Sequence, residues 1–371
     1  MLGILKIILI IVLAILTFSA VAILIFLQHP QFGKNPSDER LKVIQQSPHY
    51  RDGHFQNLQP KPLMSEGYSI LGEVYKTFVQ TPLRQQPTQP LPSIKTDLKN
   101  LPDNHLVWFG HSSLFLKLHG KTILIDPVMS GSASPIPNTT KAYAGTDIYS
   151  IDDLPEIDYL LISHDHYDHL DYKTIKALQN KVKHVVTGLG VGEHFEYWGY
   201  PKDKLIEGDW FQHVNLADNL QIYFEPTHHN SGRRYTNSKN LWVSFVIQSP
   251  ELKIFYTGDG GYDNRFKDIG KRHGGFDWAF MENGQYNLAW RSVHCLPDEV
   301  AQATEELQAK NMLPVHHSKF TLAQHAWDEP ILKISEYSIN RNYRLATPMI
   351  GESVNLMSQT QNFKKWWENI D

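Results

Sequence analysis

The sequence predicts an α/β fold in which two β-sheets pack face to face and helices cover their outer surfaces. Short apolar runs bounded by turn residues, typical of strands, follow one another closely from residue 105 onwards. They come in antiparallel runs interspersed with helical segments, and one long apolar stretch precedes them all. We expect strands at 105–109, 113–118, 122–126, 158–162, 184–187, 220–225, 241–248, 252–257 and 277–281, and helices at 172–180, 298–309 and 326–338.

The long apolar stretch runs from Ile7 to Leu27 without a charged residue. As a helix it would span about 30 Å, which is the thickness of a bilayer core. A cleaved signal peptide is the alternative, because Ala20-Val21-Ala22 has the small residues of a cleavage site. The apolar run continues beyond that site, which favours a retained single-pass membrane anchor. The basic residues that flank the run differ too little in number to assign the side of the membrane on which the rest of the chain lies.

Three segments are expected along the chain: an anchor at 1–28, a lead-in at 29–104 and a globular domain at 105–371. The lead-in is rich in proline and glutamine without strong periodicity, so we expect it to be extended and loop-rich. The net charge of −4 gives no general attraction to nucleic acid, and no nucleic-acid partner is expected. The single cysteine, Cys295, excludes an intrachain disulfide and argues against a thiolate metal site.

The most informative segment is Ser163-His164-Asp165-His166-Tyr167-Asp168-His169, which offers four metal ligands in six residues, directly after a predicted strand. His164 and His166 are two residues apart, so in an extended segment they point to the same side and can bind one ion. Asp168 and His169 come a step later and would face a second ion. Imidazole and carboxylate groups suit zinc and similar ions, and two such ions can activate one water. The alternative is a solvated loop of histidine and aspartate, which four ligands in six residues disfavour.

Three later segments each offer one more candidate ligand after a predicted strand. His229 is the candidate of the first, with its neighbour His228 as the alternative. Asp259 is flanked by glycines that permit tight backbone geometry, so its carboxylate can approach and bridge two ions. The third segment ends in His316-His317. Because all three follow apolar strands, all can lie along one edge of a sheet sandwich.

Other residues are candidates for supporting or lining such a site. Asp126 can accept the free N–H of a ligand histidine, and His111 can do the same or line the pocket; ordinary turn residues are the alternative for both. His294 follows the aromatic residues Tyr286 and Trp290, and these three residues are candidates for lining a pocket near the metals that is apolar on one flank. It is either a pocket residue that touches the substrate or a surface histidine.

Taken in order, these segments resemble the metallo-β-lactamase fold superfamily, and within it the N-acylphosphatidylethanolamine-hydrolysing phospholipase D group and its bacterial relatives. The resemblance rests on Trp108-Phe109-Gly110-His111, on His164 through Tyr172, on Pro226-Thr227-His228-His229, on Gly258-Asp259-Gly260-Gly261-Tyr262 and on Pro314-Val315-His316-His317. It implies an αββα sandwich with two zinc ions at one edge. It also implies that one zinc is held by His164, His166 and His229, that the other is held by Asp168, His169 and His316, and that Asp259 bridges them.

The function expected is zinc-dependent hydrolysis of a phosphodiester in a membrane phospholipid, similar to N-acylphosphatidylethanolamine phospholipase D. Asp168, Asp259 and His294 are the expected catalytic residues, the lipid bilayer is the expected partner, and another divalent transition metal is an alternative to zinc. A lactonase or β-lactamase-type hydrolase of a soluble substrate needs the same two-metal site and is an alternative. A non-catalytic binding protein of the same fold is another. The sequence does not predict an oligomeric state.

Overall fold

Two β-sheets, each of seven strands among the described residues, form the centre of the molecule. The structure is a computed structural model that describes residues 2–79, 84–233, 238–368 and 370. The first sheet contains, in spatial order, β16 Ser353–Asn355, β3 His105–Trp108, β4 Leu114–Leu118, β5 Lys121–Ile125, β6 Ile157–Ile162, β7 Val182–Gly188 and β8 Leu205–Gly208. The second contains β15 Arg344–Leu345, β14 Ala309–Val315, β13 Phe276–Glu282, β12 Lys253–Tyr256, β11 Ser244–Gln248, β10 Gln221–Glu225 and β9 His213–Asn215.

Both sheets are mixed: the expected antiparallel runs are present, and each sheet also contains parallel strands that the sequence analysis did not predict. In the first sheet, β3 to β5 are antiparallel and β5 to β8 are parallel. In the second, β9 to β12 are antiparallel and β12 to β15 are parallel. Parallel neighbours need crossover connections, and these supply the outer helices. They are α4 Tyr172–Leu178, α5 Gly192–Tyr197, α6 Arg265–His273, α7 Pro297–Glu306 and α8 Glu329–Tyr337.

Helices α4, α7 and α8 confirm the three predicted helices within a few residues at each end. Helices α5 and α6 were not predicted. The first has only six residues, and the second, Arg-Phe-Lys-Asp-Ile-Gly-Lys-Arg-His, is mostly charged. Only Phe266, Ile269 and Gly270 of α6 are buried, so its apolar stripe is too narrow for a clear periodic signal.

Large apolar side chains from both sheets fill the space between them, among them Trp278, Phe245 and Trp108. A second apolar core lies under α4 and α5 on the outer face of the first sheet. Burial of this apolar surface is the main stabilising term of such a sandwich. It holds the strand ends, and therefore the loops that follow them, in fixed positions.

The N-terminal helix α1, Leu2–Phe26, contains a segment, Gly3–Phe26, that is long and apolar enough to cross a membrane. Its described side chains are exposed over nearly the whole length, as a bilayer-facing helix requires. The division of the chain into the three expected segments stays a prediction.

The lead-in contains more regular structure than the sequence predicted. It forms α2 Asp38–Ile44, the short hairpin of β1 Tyr50–Arg51 and β2 His54–Phe55, and α3 Ile70–Val79. Phe32, Ile44 and Phe55 of this region are buried against the sandwich. Helix α2 and the hairpin are ordered by this packing rather than by local propensity, which explains why periodicity alone did not predict them.

Candidate metal centre

The predicted ligands meet at one edge of the sandwich, because the strands that precede them end there. His164 follows β6, His229 follows β10, Asp259 follows β12, and His316 follows β14 directly. Parallel strands of a sheet end on the same side, so β12 and β14 place their following loops together. The sandwich brings the loops of the first sheet to the same edge.

One group of donor atoms lies around His166. Its Nδ1 is 3.0 Å from Nε2 of His164 and 3.2 Å from Nε2 of His229. The Oδ2 atom of Asp259 lies 3.8 Å from the first of these Nε2 atoms and 3.9 Å from the second. The three histidines are the set expected for the first ion.

The second group lies on the other side of Asp259. Nε2 of His169 is 3.2 Å from Oδ1 of Asp259, and Nε2 of His316 is 3.2 Å from its Oδ2. Oδ2 of Asp168 lies 3.5 Å from Nε2 of His169 and 3.3 Å from Nε2 of His316. Asp259 therefore faces both groups, as a bridging ligand must.

Four of the five histidines have the other ring nitrogen held by an oxygen, which fixes the ring and leaves the inward nitrogen free to bind a metal. Neutral metal ligands in proteins are oriented in this way. The contacts are His164 Nδ1 to Ser163 Oγ at 3.0 Å, His169 Nδ1 to Asp126 Oδ2 at 2.8 Å, His229 Nδ1 to Val293 O at 3.1 Å and His316 Nδ1 to Gly284 O at 3.4 Å. Asp126 is thus in the supporting position that the sequence suggested.

The spacing of the donor atoms fits a tetrahedral zinc site. Zinc–nitrogen bonds of about 2.0–2.1 Å place neighbouring ligand atoms about 3.3–3.4 Å apart. The closest distances within the two groups fall near this value. In addition, Nε2 of His169 and Oδ1 of Asp259 are buried without a hydrogen bond among the described residues. Buried polar atoms without partners are costly, and a shared metal ion would satisfy both.

The charges also suit a metal. Burial lowers the pKa of His164 and of His229 well below the ordinary value, so both imidazoles are neutral. Burial alone would raise the pKa of Asp168 and Asp259, but the neighbouring His169 helps to hold the pKa of both far below the usual range. The first group therefore offers neutral imidazoles. In the second group, burial opposes protonation, but Asp259 and the other carboxylates raise the pKa of His169 and His316, so a metal ion bound there would replace their protons.

The fold distinguishes the two members of each adjacent histidine pair, His228-His229 and His316-His317. His228 turns away from the cluster and lines a small cavity of about 90 Å³ with Arg265 and Asp263. His317 packs against Trp108, with the ring centres 4.9 Å apart, and its Nδ1 contacts Ser318 Oγ at 2.7 Å. The geometry favours His229 and His316 as ligands, and the assignment of each ligand stays a prediction.

His294 lies beside both groups, close enough to His229 and Asp259 to share a metal-sized space with them. Its Nδ1 hydrogen-bonds Oε1 of Glu282, whose Oε2 accepts the N–H of Gly260 at 2.9 Å. Glu282 is buried at the end of β13, and the sequence analysis missed it. Only its position after an apolar run could have indicated it.

His111 is a further neighbour of the second group. Its Nε2 lies 3.0 Å from Oδ2 of Asp168, and burial lowers the pKa of His111 to about 3, so it is neutral. Its backbone pairs with the strand end that carries the ligand, since the N–H of His316 donates to the His111 carbonyl at 2.9 Å. His111 therefore contacts Asp168, and with Asp168, His169 and His316 it also forms a group of side chains that could hold a metal ion.

Two of the expected pocket residues lie elsewhere. Tyr286 lines a cavity of about 610 Å³ whose described lining residues include none of the seven candidate ligands. Its hydroxyl donates to Oε1 of Glu329 at 2.9 Å. Trp290 is half-buried, and its indole N–H donates to the carbonyl of Gln285 at 3.0 Å. Of the three residues expected to line the metal pocket, the structure brings only His294 to the cluster.

Comparison with known proteins identifies the family. The sequence profile of the beta-lactamase superfamily domain matches residues 121–317, a range that contains all seven candidate ligands. An uncharacterized protein of Mycobacterium tuberculosis is 33% identical over 331 residues, which is 88% of each chain. The chain belongs to the metallo-β-lactamase fold superfamily.

Other proteins that are similar to this chain have named activities. The N-acyl-phosphatidylethanolamine-hydrolyzing phospholipase D 1 of Caenorhabditis elegans is 30% identical over 234 residues, covering 58% of this chain and 64% of the relative. Igni18, a metallo hydrolase from Ignicoccus hospitalis, shares the fold with a TM-score of 0.52 at 19% identity, covering 67% of this chain and 97% of its own. The protein is a metal-dependent hydrolase of the superfamily, with a His/Asp cluster that can bind metal.

Proposed function

We propose that this protein is a zinc-dependent phosphodiesterase that hydrolyses a phospholipid of the membrane in which it is anchored, of the N-acylphosphatidylethanolamine type. The loop at 164–169, which follows β6 and contains four candidate ligands, is called the ligand loop. The observation that carries the proposal is the short path from the apolar helix to this loop. Phe26, at the end of α1, packs against Phe32 with ring centres 5.1 Å apart. Phe32 in turn packs against Tyr167 at 6.3 Å, and Tyr167 lies between His166 and Asp168. An anchored helix would therefore hold the metal centre close to the bilayer surface.

Helix α3 supports the same orientation. It turns Glu73 inward, where the residue is 7% exposed, and presents an apolar face outward. Leu71 is 83% exposed and Tyr75 66% exposed, and the other members of this face are Ile70, Val74 and Val79. A contiguous exposed apolar face beside polar residues is typical of a surface that contacts a membrane. The segment before α3 is hydrogen-bonded to the chain segment that precedes His294, since Ser65 N–H donates to the Ala289 carbonyl at 2.7 Å.

The similarity to the Caenorhabditis elegans phospholipase D supports the choice of substrate class. Bound at this centre, two zinc ions would supply an activated water and stabilise the charge that develops on the phosphate. Oδ2 of Asp259 faces both groups and Oδ1 faces the second, so this residue would hold the pair together. His294 has its Nδ1 engaged by Glu282, which leaves Nε2 to give a proton to the departing alcohol oxygen as the phosphorus–oxygen bond breaks. The products would be phosphatidic acid and an N-acylethanolamine.

The test is turnover by the purified full chain. Mixed micelles of N-acylphosphatidylethanolamine should yield phosphatidic acid, and Asp259→Ala should abolish the reaction. A panel of lactones and β-lactams is measured in parallel with the metal content. Rapid opening of those rings without lipid turnover would show that the substrate is soluble and would overturn the lipid assignment.

The membrane contact is tested separately with Leu71→Glu combined with Tyr75→Glu. This variant should lose activity on lipid in vesicles while keeping activity on a short-chain soluble analogue, because only delivery of an embedded substrate needs the apolar face. Ile339→Glu is the matched control, since Ile339 is 65% exposed on the turn after α8. Equal vesicle activity of the double variant and the control would contradict a role of α3 in membrane contact.

A further inference from the structure

Residues 31–34, which follow α1 and are called the linker, are joined to the ligand loop by a buried arginine. The guanidinium of Arg233 donates from Nη1 to the carbonyl of Asp165 at 2.8 Å and to the carbonyl of Leu170 at 2.7 Å. These two carbonyls bracket the segment that contains three of the candidate ligands. Nε and Nη2 of Arg233 both donate to the carbonyl of Gln31 in the linker, at 3.0 and 2.8 Å.

This guanidinium depends on all three carbonyls. Arg233 is 4% exposed, and it lies over the rings of Tyr167 and Trp198 at 4.3 and 5.3 Å. An arginine stays charged in proteins, so a buried one needs hydrogen-bond acceptors for its N–H groups. If the linker moved away, the N–H groups of Arg233 at Nε and Nη2 would lose their acceptor, the Gln31 carbonyl. The arginine would then have to shift, and the two ends of the ligand loop with it.

A second junction joins the same linker to the same loop. The backbone N–H of Lys34 donates to Nδ1 of His194 at 3.0 Å. Nε2 of His194 donates to Oδ2 of Asp165 at 3.0 Å, and Gly232 N–H donates to Oδ1 of that carboxylate at 2.6 Å. Asp165 lies between His164 and His166 in the chain. The linker therefore fixes the residue that separates two candidate ligands.

We propose that Arg233 and His194 are positioning residues that hold the ligand loop through the linker at 31–34, so that the base of the membrane anchor forms part of the support of the metal centre. The inference rests on the proposed function only in requiring that the loop at 164–169 binds metal. Its consequence is measurable without turnover: a change in the linker, far from any ligand in the chain, should weaken metal affinity.

Gly33→Ala changes the linker side of this arrangement in the full chain. Gly33 has φ +65, and a Cβ atom there would lie 2.1 Å from Nδ1 of His194, so the linker and the imidazole must separate. Gly67→Ala is the matched control, because Gly67 has φ +84 with nothing within 4 Å of the added Cβ. The control therefore carries similar backbone strain without a clash.

Arg233→Lys changes the loop side. A single ammonium group keeps the charge but cannot reach both carbonyls of the loop and Gln31 with the fork geometry of a guanidinium. Arg341→Lys is its control, since Arg341 pairs with Glu305 at 2.6 Å outside the ligand loop and the linker. Each variant is purified in detergent, and its fold is verified by circular dichroism.

Zinc affinity is measured by competition with a chromophoric chelator, with His166→Ala as the reference for loss of a ligand. Gly33→Ala and Arg233→Lys should each bind zinc about 10–100-fold more weakly than their controls, which is the usual effect of losing an outer support of a metal ligand. If His166→Ala loses zinc while Gly33→Ala matches Gly67→Ala, the positioning inference is wrong. If His166→Ala binds zinc like the unmodified protein, the metal centre itself is wrong. Should Arg233→Lys fail to fold, the Gly33→Ala comparison decides alone.

Discussion

Replacing Glu282 by glutamine tests whether His294 needs its buried partner for proton delivery. One carboxylate oxygen of Glu282 bonds Nδ1 of His294, and the other accepts the N–H of Gly260 at 2.9 Å. Glutamine has nearly the same size but only one accepting oxygen. If that oxygen stays with His294, the amide NH₂ meets the Gly260 N–H, and two donors face each other.

The size of the effect follows from the bond that is lost. A hydrogen bond to a charged group contributes about 1.5–3 kcal/mol. Since each 1.36 kcal/mol of barrier is about tenfold in rate, kcat should fall about 10–150-fold. All seven candidate ligands are unchanged in the variant, so the zinc content should stay that of the unmodified protein.

The assay is kcat on N-acylphosphatidylethanolamine in mixed micelles, with zinc per chain measured on the same samples. Glu225→Gln is the matched control, because Glu225 is also buried and bonds a histidine, His273, at 2.7 Å outside the ligand cluster. A kcat for Glu282→Gln equal to that of the control would refute the reasoning. A fall in kcat that only follows a loss of zinc would refute it as well, because Glu282 would then support metal binding instead.

Protein purified without chelator should contain about two zinc ions per chain, and Asp259→Ala should lose metal and activity together; full activity of this variant would contradict the bridging role. His229→Ala should weaken zinc binding far more than His228→Ala, because only the first faces the other ligands, and equal losses would reverse the register. Deleting residues 1–28 should release the protein from the membrane fraction apart from contact through α3, whereas a mature N-terminus mapped near residue 23 would identify a cleaved signal peptide. Burial lowers the pKa of His325, whose Nε2 accepts the Gln285 N–H at 2.9 Å. Below about pH 6.5 the unfolded chain therefore binds a proton at this imidazole more readily than the folded protein does. Stability should therefore fall as the pH falls below that value, and His325→Phe should reduce the slope of the free energy of unfolding by up to about 1.4 kcal/mol per pH unit; an unchanged slope in urea titrations would contradict this.

Some features of the site could be predicted because they are local. Four candidate ligands in the loop after β6 are neighbours in the chain, so their chemistry and spacing are visible without a fold. The other candidates follow apolar strands, and strand ends on one edge meet in any sandwich of this kind. The same local reasoning could not choose within His228-His229. Adjacent residues point in different directions, and only the tertiary structure supplies the Val293 carbonyl that holds Nδ1 of His229 and turns its other nitrogen toward the cluster.

The secondary structure shows the same division. Strands with apolar, β-branched residues were predicted within a few residues, as were the helices with a clear apolar stripe. The parallel arrangement of β12 to β15 was not predicted, because pairing between strands depends on the crossover helices and not on the strands themselves. The short helix α5 and the polar helix α6 are stabilised mainly by what they pack against.

The sequence by itself determined the superfamily, a set of histidines and aspartates that can bind metal, and the presence of an apolar helix long enough to span a bilayer, since each is visible in short segments whose residues are close together in the chain. Only the tertiary structure decided that Glu282 supports His294 and that Arg233 joins the ligand loop to Gln31, a residue 202 positions away. Glutamate at a strand end and arginine in a loop are ordinary in any sequence. They acquire a specific role only where packing removes water and leaves each charge with a single set of partners.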